Sequence, residues 1–134
     1  MANTVKEAAS REHQDLVKRL IDQFLKDGLT IVEAAYEGYT QPHKIGRHEP
    51  DIIATNAEEL WFIGEAKRCD DLTSTRSREQ FQDFSNTKMK GGRSNDKILP
   101  FHIVTQRRCE QELQSVLSEL GLNAKPNITR WFKD

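Results

Sequence analysis

The chain reads as an α/β domain, a mixed central β-sheet flanked by helices in the order helix, strand, strand, strand, helix, strand, helix, strand. Three observations predict it. Apolar residues recur at helical spacing in two stretches, 16–25 and 113–120. Short runs of β-branched and aromatic residues lie between them, and glycine or a polar cluster closes most segments. Strands interleaved with helices favour one sheet covered on its faces. With 134 residues the chain forms a single domain, 1–134, with one core and no room for a separate recognition module.

The elements follow in order. Leu16, Val17, Leu20, Ile21, Phe24 and Leu25 stripe one side of a long amphipathic helix over 4–27, and Gly28 stops it. Residues 29–36 read as a strand. Ile52 and Ile53, then Trp61, Phe62 and Ile63, flank the polar segment Asn56-Ala57-Glu58-Glu59 and so form a hairpin. A helix is expected over 77–89, and a buried strand over 98–105 with Pro100 near its start. Leu113, Val116, Leu117 and Leu120 mark a further helix ended by Gly121, and 128–132 reads as an edge strand. The closing pair Trp131-Phe132 fits either a plug for the core or a seat for a second copy of the chain in a homodimer. No internal repeat or low-complexity segment is visible.

The hairpin carries charges where its neighbours want burial. Folding it near Glu58 brings Asp51 opposite Glu65, and directly opposed residues sit about 5 Å apart. Side chains alternate along a strand, so Glu65 and Lys67 project to the same face as Asp51. Two carboxylates this close repel unless one takes a proton or a cation lies between them. Mg²⁺ or Mn²⁺ meets that need with oxygen ligands. The alternative is a surface salt-bridge cluster on an edge hairpin. The apolar flanks oppose it, because unpaired buried charge is expensive.

Pro50-Asp51, a gap, then Glu65-Ala66-Lys67 resembles the PD-(D/E)xK motif of restriction-endonuclease-like nucleases, a superfamily that includes Holliday-junction resolvases, RecB-type exonuclease domains and VRR-NUC domains. Gln80-Phe81-Gln82-Asp83-Phe84 falls where some subfamilies carry Q-x-x-x-Y, with Phe84 in place of the tyrosine. The resemblance covers about 29–106. It implies a restriction-endonuclease-like core and a Mg²⁺- or Mn²⁺-dependent deoxyribonuclease. Asp51 and Glu65 would hold the metal, with the backbone carbonyl of Ala66 as a further ligand. Lys67 would position the attacking water and offset developing charge. A third acid on the first helix is common in the family, and Glu12 is the choice here, ahead of Glu33. Gln80 either supports the metal-site water or the substrate backbone, or closes a capping box, Ser77-Arg78-Glu79-Gln80.

Twenty basic against twenty-one acidic residues give a net charge of −1, so phosphate binding depends on where the cations lie. Arg76, Arg78, Lys88, Lys90 and Arg93 gather in one stretch interrupted by Gly91-Gly92; they are the expected nucleic-acid contacts, the other reading being a solvated helix end and turn. Arg76 and Arg78 lie near a helix N-terminus, where a phosphate would also meet free N–H groups; an exposed polar turn is the other reading. The loop Gln41-Pro42-His43-Lys44-Ile45-Gly46-Arg47-His48 leads into Asp51 and would border the cleft. Cys69 and Cys109 have no zinc or redox spacing and are expected as buried free thiols at strand ends. No apolar run spans a bilayer and the N-terminus lacks a signal-peptide core, so a cytoplasmic protein is expected.

Three functions remain in view. One is a DNA nuclease acting on branched, flapped or junction DNA in repair or recombination. Another is a restriction-like or phage-defence endonuclease, and the third a non-catalytic nucleic-acid-binding module. The complete set of Asp51, Glu65 and Lys67 argues against the third.

Overall fold

The computed structural model describes residues 2–88 and 97–134, with side chains from residue 7 onward. Its elements are helix α1 (Ala2–Lys26), strands β1 (Thr30–Ala34), β2 (Ile52–Thr55) and β3 (Trp61–Ala66), helix α2 (Thr75–Ser85), strand β4 (Phe101–Gln106), helix α3 (Glu110–Glu119) and strand β5 (Ile128–Lys133). The order is the expected one. The strands form one five-stranded sheet ordered β1-β2-β3-β4-β5. The first three are antiparallel, and β4 and β5 are added parallel to β3.

That topology dictates the layers. The connections from β3 to β4 and from β4 to β5 step in the same direction, and crossovers of this kind are right-handed, so α2 and α3 share one face. Phe81, Phe84, Leu113, Val116 and Leu117 pack there on Ile63, Phe101 and Ile103. α1 covers the other face, laying Leu16, Val17, Leu20, Ile21 and Phe24 against Ile52, Ala54, Ala66 and Val104. Gly64 makes that contact tight, since a Cβ built on it would lie 2.9 Å from Leu20 Cδ2. The stripe seen in the sequence is thus the buried side of α1, apart from Leu25, which is exposed.

The hairpin adopts the expected register, Ile52 opposite Gly64 and Thr55 opposite Trp61, which continues to Asp51 opposite Glu65. Asn56 organises the turn by accepting from the N–H groups of Glu58 (2.9 Å) and Leu60 (3.0 Å). Glu59 supplies the left-handed residue, with φ 65°. Ile53 and Ile63 face α2 and α3, and by alternation so do Asp51 and Glu65.

Three expectations are corrected. Helix α2 begins at Thr75, not residue 77, because Ser74 caps it by accepting from Ser77 N–H at 3.0 Å. It ends at Ser85 rather than 89; Lys88 instead forms a β-bridge with Ile98, and Met89 lies outside the described residues. β4 starts at Phe101 because Pro100 has no N–H to donate. Cys69 and Cys109 are not free thiols. They lie in short 3-10 turns just after β3 and β4, where their Cα atoms come within 5.7 Å and their sulfurs are joined in a disulfide.

Trp131 and Phe132 close the core on opposite faces. Trp131 Nε1 donates to His102 Nδ1 at 2.9 Å, and the two rings stack. Phe24 meets the same imidazole edge-on. Burial pushes the His102 pKa down to about 4, against a weak upward pull from Asp27. The folded state therefore keeps this ring neutral while the unfolded chain protonates it below its ordinary value. Its contribution is complete above about pH 6.5 and is lost as pH falls toward 4. The full effect is about 3 kcal/mol. Thermal unfolding followed from pH 7.5 to 4.5 should show that loss in the native chain and a smaller one in His102→Asn. Equal losses would refute the assignment. Among the described residues no helix is long and apolar enough to cross a membrane.

Candidate active site

The hairpin and α2 enclose a polar cavity of about 370 Å³, into which Asp51, Glu65, Lys67 and Gln80 converge. Asp51 immediately precedes β2, Glu65 lies near the end of β3, Lys67 follows that strand, and Gln80 comes from the middle of α2. All four are buried. β4 holds the end of β3 in place. Val104 O accepts from Lys67 N–H at 3.0 Å, and Thr105 Oγ1 donates to Lys67 O at 2.7 Å.

Each side chain has a defined neighbour. Asp51 Oδ2 accepts from Ala66 N–H at 2.8 Å and meets His13 Nε2 at 3.2 Å. Lys67 Nζ donates to Gln80 Oε1. Glu65 Oε2 is buried with no hydrogen-bond partner among the described residues. Burial, then the charge of Asp51, raises the Glu65 carboxyl well above its ordinary value. Burial also pushes Asp51 upward, but the hydrogen bonds shared with Glu65 and His13, together with the Ala66 N–H, outweigh it and hold Asp51 below its ordinary value. The two carboxyl groups are thus driven apart, Glu65 toward the protonated form and Asp51 toward the ionised one. The hydrogen bond to Asp51 raises the pKa of His13.

This donor set fits a hard divalent cation. Two adjacent carboxyl groups, Glu65 with one oxygen unmet, line a polar cavity that Ala66 also lines. Among the described residues no three His, Cys, Asp or Glu side chains form a closed ligand group. An ion there would draw on Asp51, Glu65 and the Ala66 carbonyl, leaving positions for water and substrate.

The other expected site residues divide. Arg76 is exposed at the first turn of α2 and lines the cavity. Arg78 turns away, donating to Glu119 at 2.7 Å and to Thr73 O at 3.2 Å. Lys88 lines a separate cleft. Lys90 and Arg93 lie outside the described residues. Glu12 is not brought to the cavity; its carboxylate lies 3.7 Å from Arg68 Nε. Glu33 is held by His43 at 2.7 Å, also away from it. The capping-box reading of Gln80 is replaced, since Ser74 caps α2 and Gln80 accepts from Lys67.

Three ionisable residues of the cavity escaped the sequence reading. His13, Glu49 and Asp71 line it alongside the expected set. His13 had a usable signal: it stands four and seven residues before Val17 and Leu20, both fully buried, and so belongs to the inward side of α1. Glu49 shares the parity of Asp51, two residues on. Asp71 had no signal, because its place depends on the 3-10 turn and on Arg68, 3.6 Å away.

Comparison with protein-family models, curated proteins and solved structures finds no match for the chain.

Proposed function

We propose that this chain is a Mg²⁺- or Mn²⁺-dependent nuclease that hydrolyses phosphodiester bonds of DNA, built on a restriction-endonuclease-like core. The observation that carries the reading is the buried pair of Asp51 and Glu65, one oxygen of which is unpartnered, beside a lysine held by Gln80. A buried carboxylate oxygen left unmet beside a polar cavity is uncommon, and a bound cation would satisfy it. Branched, flapped or junction DNA suits the small single domain better than a long sequence-specific site.

Asp51 and Glu65 would hold the ion, with the Ala66 carbonyl completing the protein's share. When bound, the metal supplies Lewis acidity toward the phosphate and acidifies water. His13 and the Ala66 N–H fix the Asp51 carboxylate so that its free lone pairs face the cavity. Lys67 donates toward the water and the phosphoryl oxygens, and Gln80 sets its position. Arg76, at the mouth, would take a non-bridging oxygen of the substrate backbone, aided by the first N–H groups of α2.

The test is divalent-metal-dependent cleavage of plasmid, single-stranded, flapped and four-way-junction DNA by the native chain and by Asp51→Asn. Cleavage in Mg²⁺ or Mn²⁺ that the substitution lowers by about a thousandfold or more is expected, since it removes a ligand charge. Binding to the same DNA with no cleavage by the native chain would instead favour the non-catalytic module.

A further inference from the structure

A second cleft, of about 240 Å³, opens on the same face of the hairpin, toward the turn. Ile53, Ile63 and Leu99 form an apolar floor. Trp61, partly buried, stands at one side, while His43, Thr87 and Lys88 supply polar groups. Ile63 and Trp61 have the parity of Glu65. They lie two and four residues before it on β3, about 7 and 14 Å away along the strand. One connection serves both cavities, bringing His43 and Ile45 to the cleft and Glu49 and Asp51 to the carboxylate site.

The walls are preformed. Arg47 clamps this connection to α2 through Asp83, at 3.0 Å from Nε and 2.9 Å from Nη2. Thr87 Oγ1 donates to Asp83 O at 2.6 Å, Leu99 N–H donates to Thr87 O at 2.9 Å, and Lys88 pairs with Ile98. His43 is held by Glu33. A fixed slot with an apolar floor, an aromatic ring and a cation at its edge has the chemistry that takes a planar base while its backbone stays outside.

We propose that this cleft is a subsite for an unpaired nucleobase of the substrate strand, close to the phosphate held at Asp51 and Glu65; the inference rests on the nuclease reading. The base stacks on or beside Trp61 over Ile53 and Ile63, and Lys88 meets the adjoining phosphate. A base inside a continuous duplex cannot enter, so the cleft selects strands with an unpaired nucleotide next to the cut. It lies on the same hairpin face as the carboxylate site, two to four residues along β3 from Glu65, and its cation matches the strand's charge.

The experiment measures binding of a single-stranded oligothymidylate by fluorescence anisotropy in Ca²⁺, with an abasic residue moved one position at a time. The native chain, Trp61→Leu and Lys88→Ala are compared, and native cleavage is followed in Mg²⁺ and Mn²⁺. One abasic position should weaken native binding about tenfold, and Trp61→Leu should weaken it similarly and abolish sensitivity to that position. Native cleavage with equal tolerance of every abasic position overturns the subsite and leaves the nuclease reading standing. A position-specific loss of binding without any cleavage does the reverse. If Trp61→Leu does not fold, the abasic scan on the native chain, with Lys88→Ala, decides alone.

Discussion

Replacing Lys67 by methionine is expected to slow DNA cleavage by about 10²–10³-fold while leaving metal affinity near the native value. Lys67 Nζ is buried against Gln80 in the cavity that holds the carboxyl pair, so on the proposed reading its loss would remove a donor to the phosphate but no metal ligand. Methionine keeps most of the volume, which limits the structural cost. The loss should appear in kcat with KM little changed, the signature of an interaction made in the transition state. Gln80→Ala should cost less, and the double variant no more than Lys67→Met alone, because Gln80 acts through the lysine. Additive losses would show that Gln80 touches substrate independently. Weakened metal binding in Lys67→Met would place the lysine's role in assembling the site.

Glu65→Gln should have opposite effects on stability and function. The Glu65 carboxyl is raised well above its ordinary value by burial and by Asp51. A raised acid means that the folded state binds the proton more tightly than the unfolded chain. Stability is therefore lost as pH rises from the ordinary carboxylate range through the raised value. Glutamine has no charge to desolvate, so the metal-free variant should be the more stable of the two by about 1–3 kcal/mol, with the difference growing with pH. The native chain should be stabilised by Mn²⁺ and should release about one proton on binding it, detectable by calorimetry in buffers of different ionisation enthalpy. The glutamine variant should show neither effect. A variant less stable than the native chain at pH 8 without metal would mean that the Glu65 carboxylate is satisfied in the fold.

The legible part of the site lay within a single hairpin. A polar turn centred near Glu58 and two apolar runs sufficed to set Asp51 opposite Glu65, since strand alternation and hairpin pairing are local rules. Gln80 was placed by motif spacing, but its alternative role as a cap could only be discarded once Ser74 was seen capping α2. Glu12 was chosen ahead of Glu33 because the resemblance implies an acid on the first helix, and His13 was not considered. The geometry brings the histidine to Asp51 and turns the glutamate toward Arg68. Adjacent helical residues differ by about 100° in direction, so helix rotation alone separates them.

By itself the sequence determined the order of the elements, the stripe of α1, the hairpin register and the convergence of Asp51, Glu65 and Lys67 on one face. All of these follow from periodicities of two and 3.6 residues that are present in any short window. Only the tertiary structure decided that β4 and β5 pair parallel beyond β3, that Cys69 and Cys109 meet across 40 residues, and that His13, Glu49 and Asp71 share a cavity with the hairpin acids. These contacts join residues far apart in the chain, whose approach is set by how helices pack on a twisted sheet, and no local pattern of residue types encodes that approach.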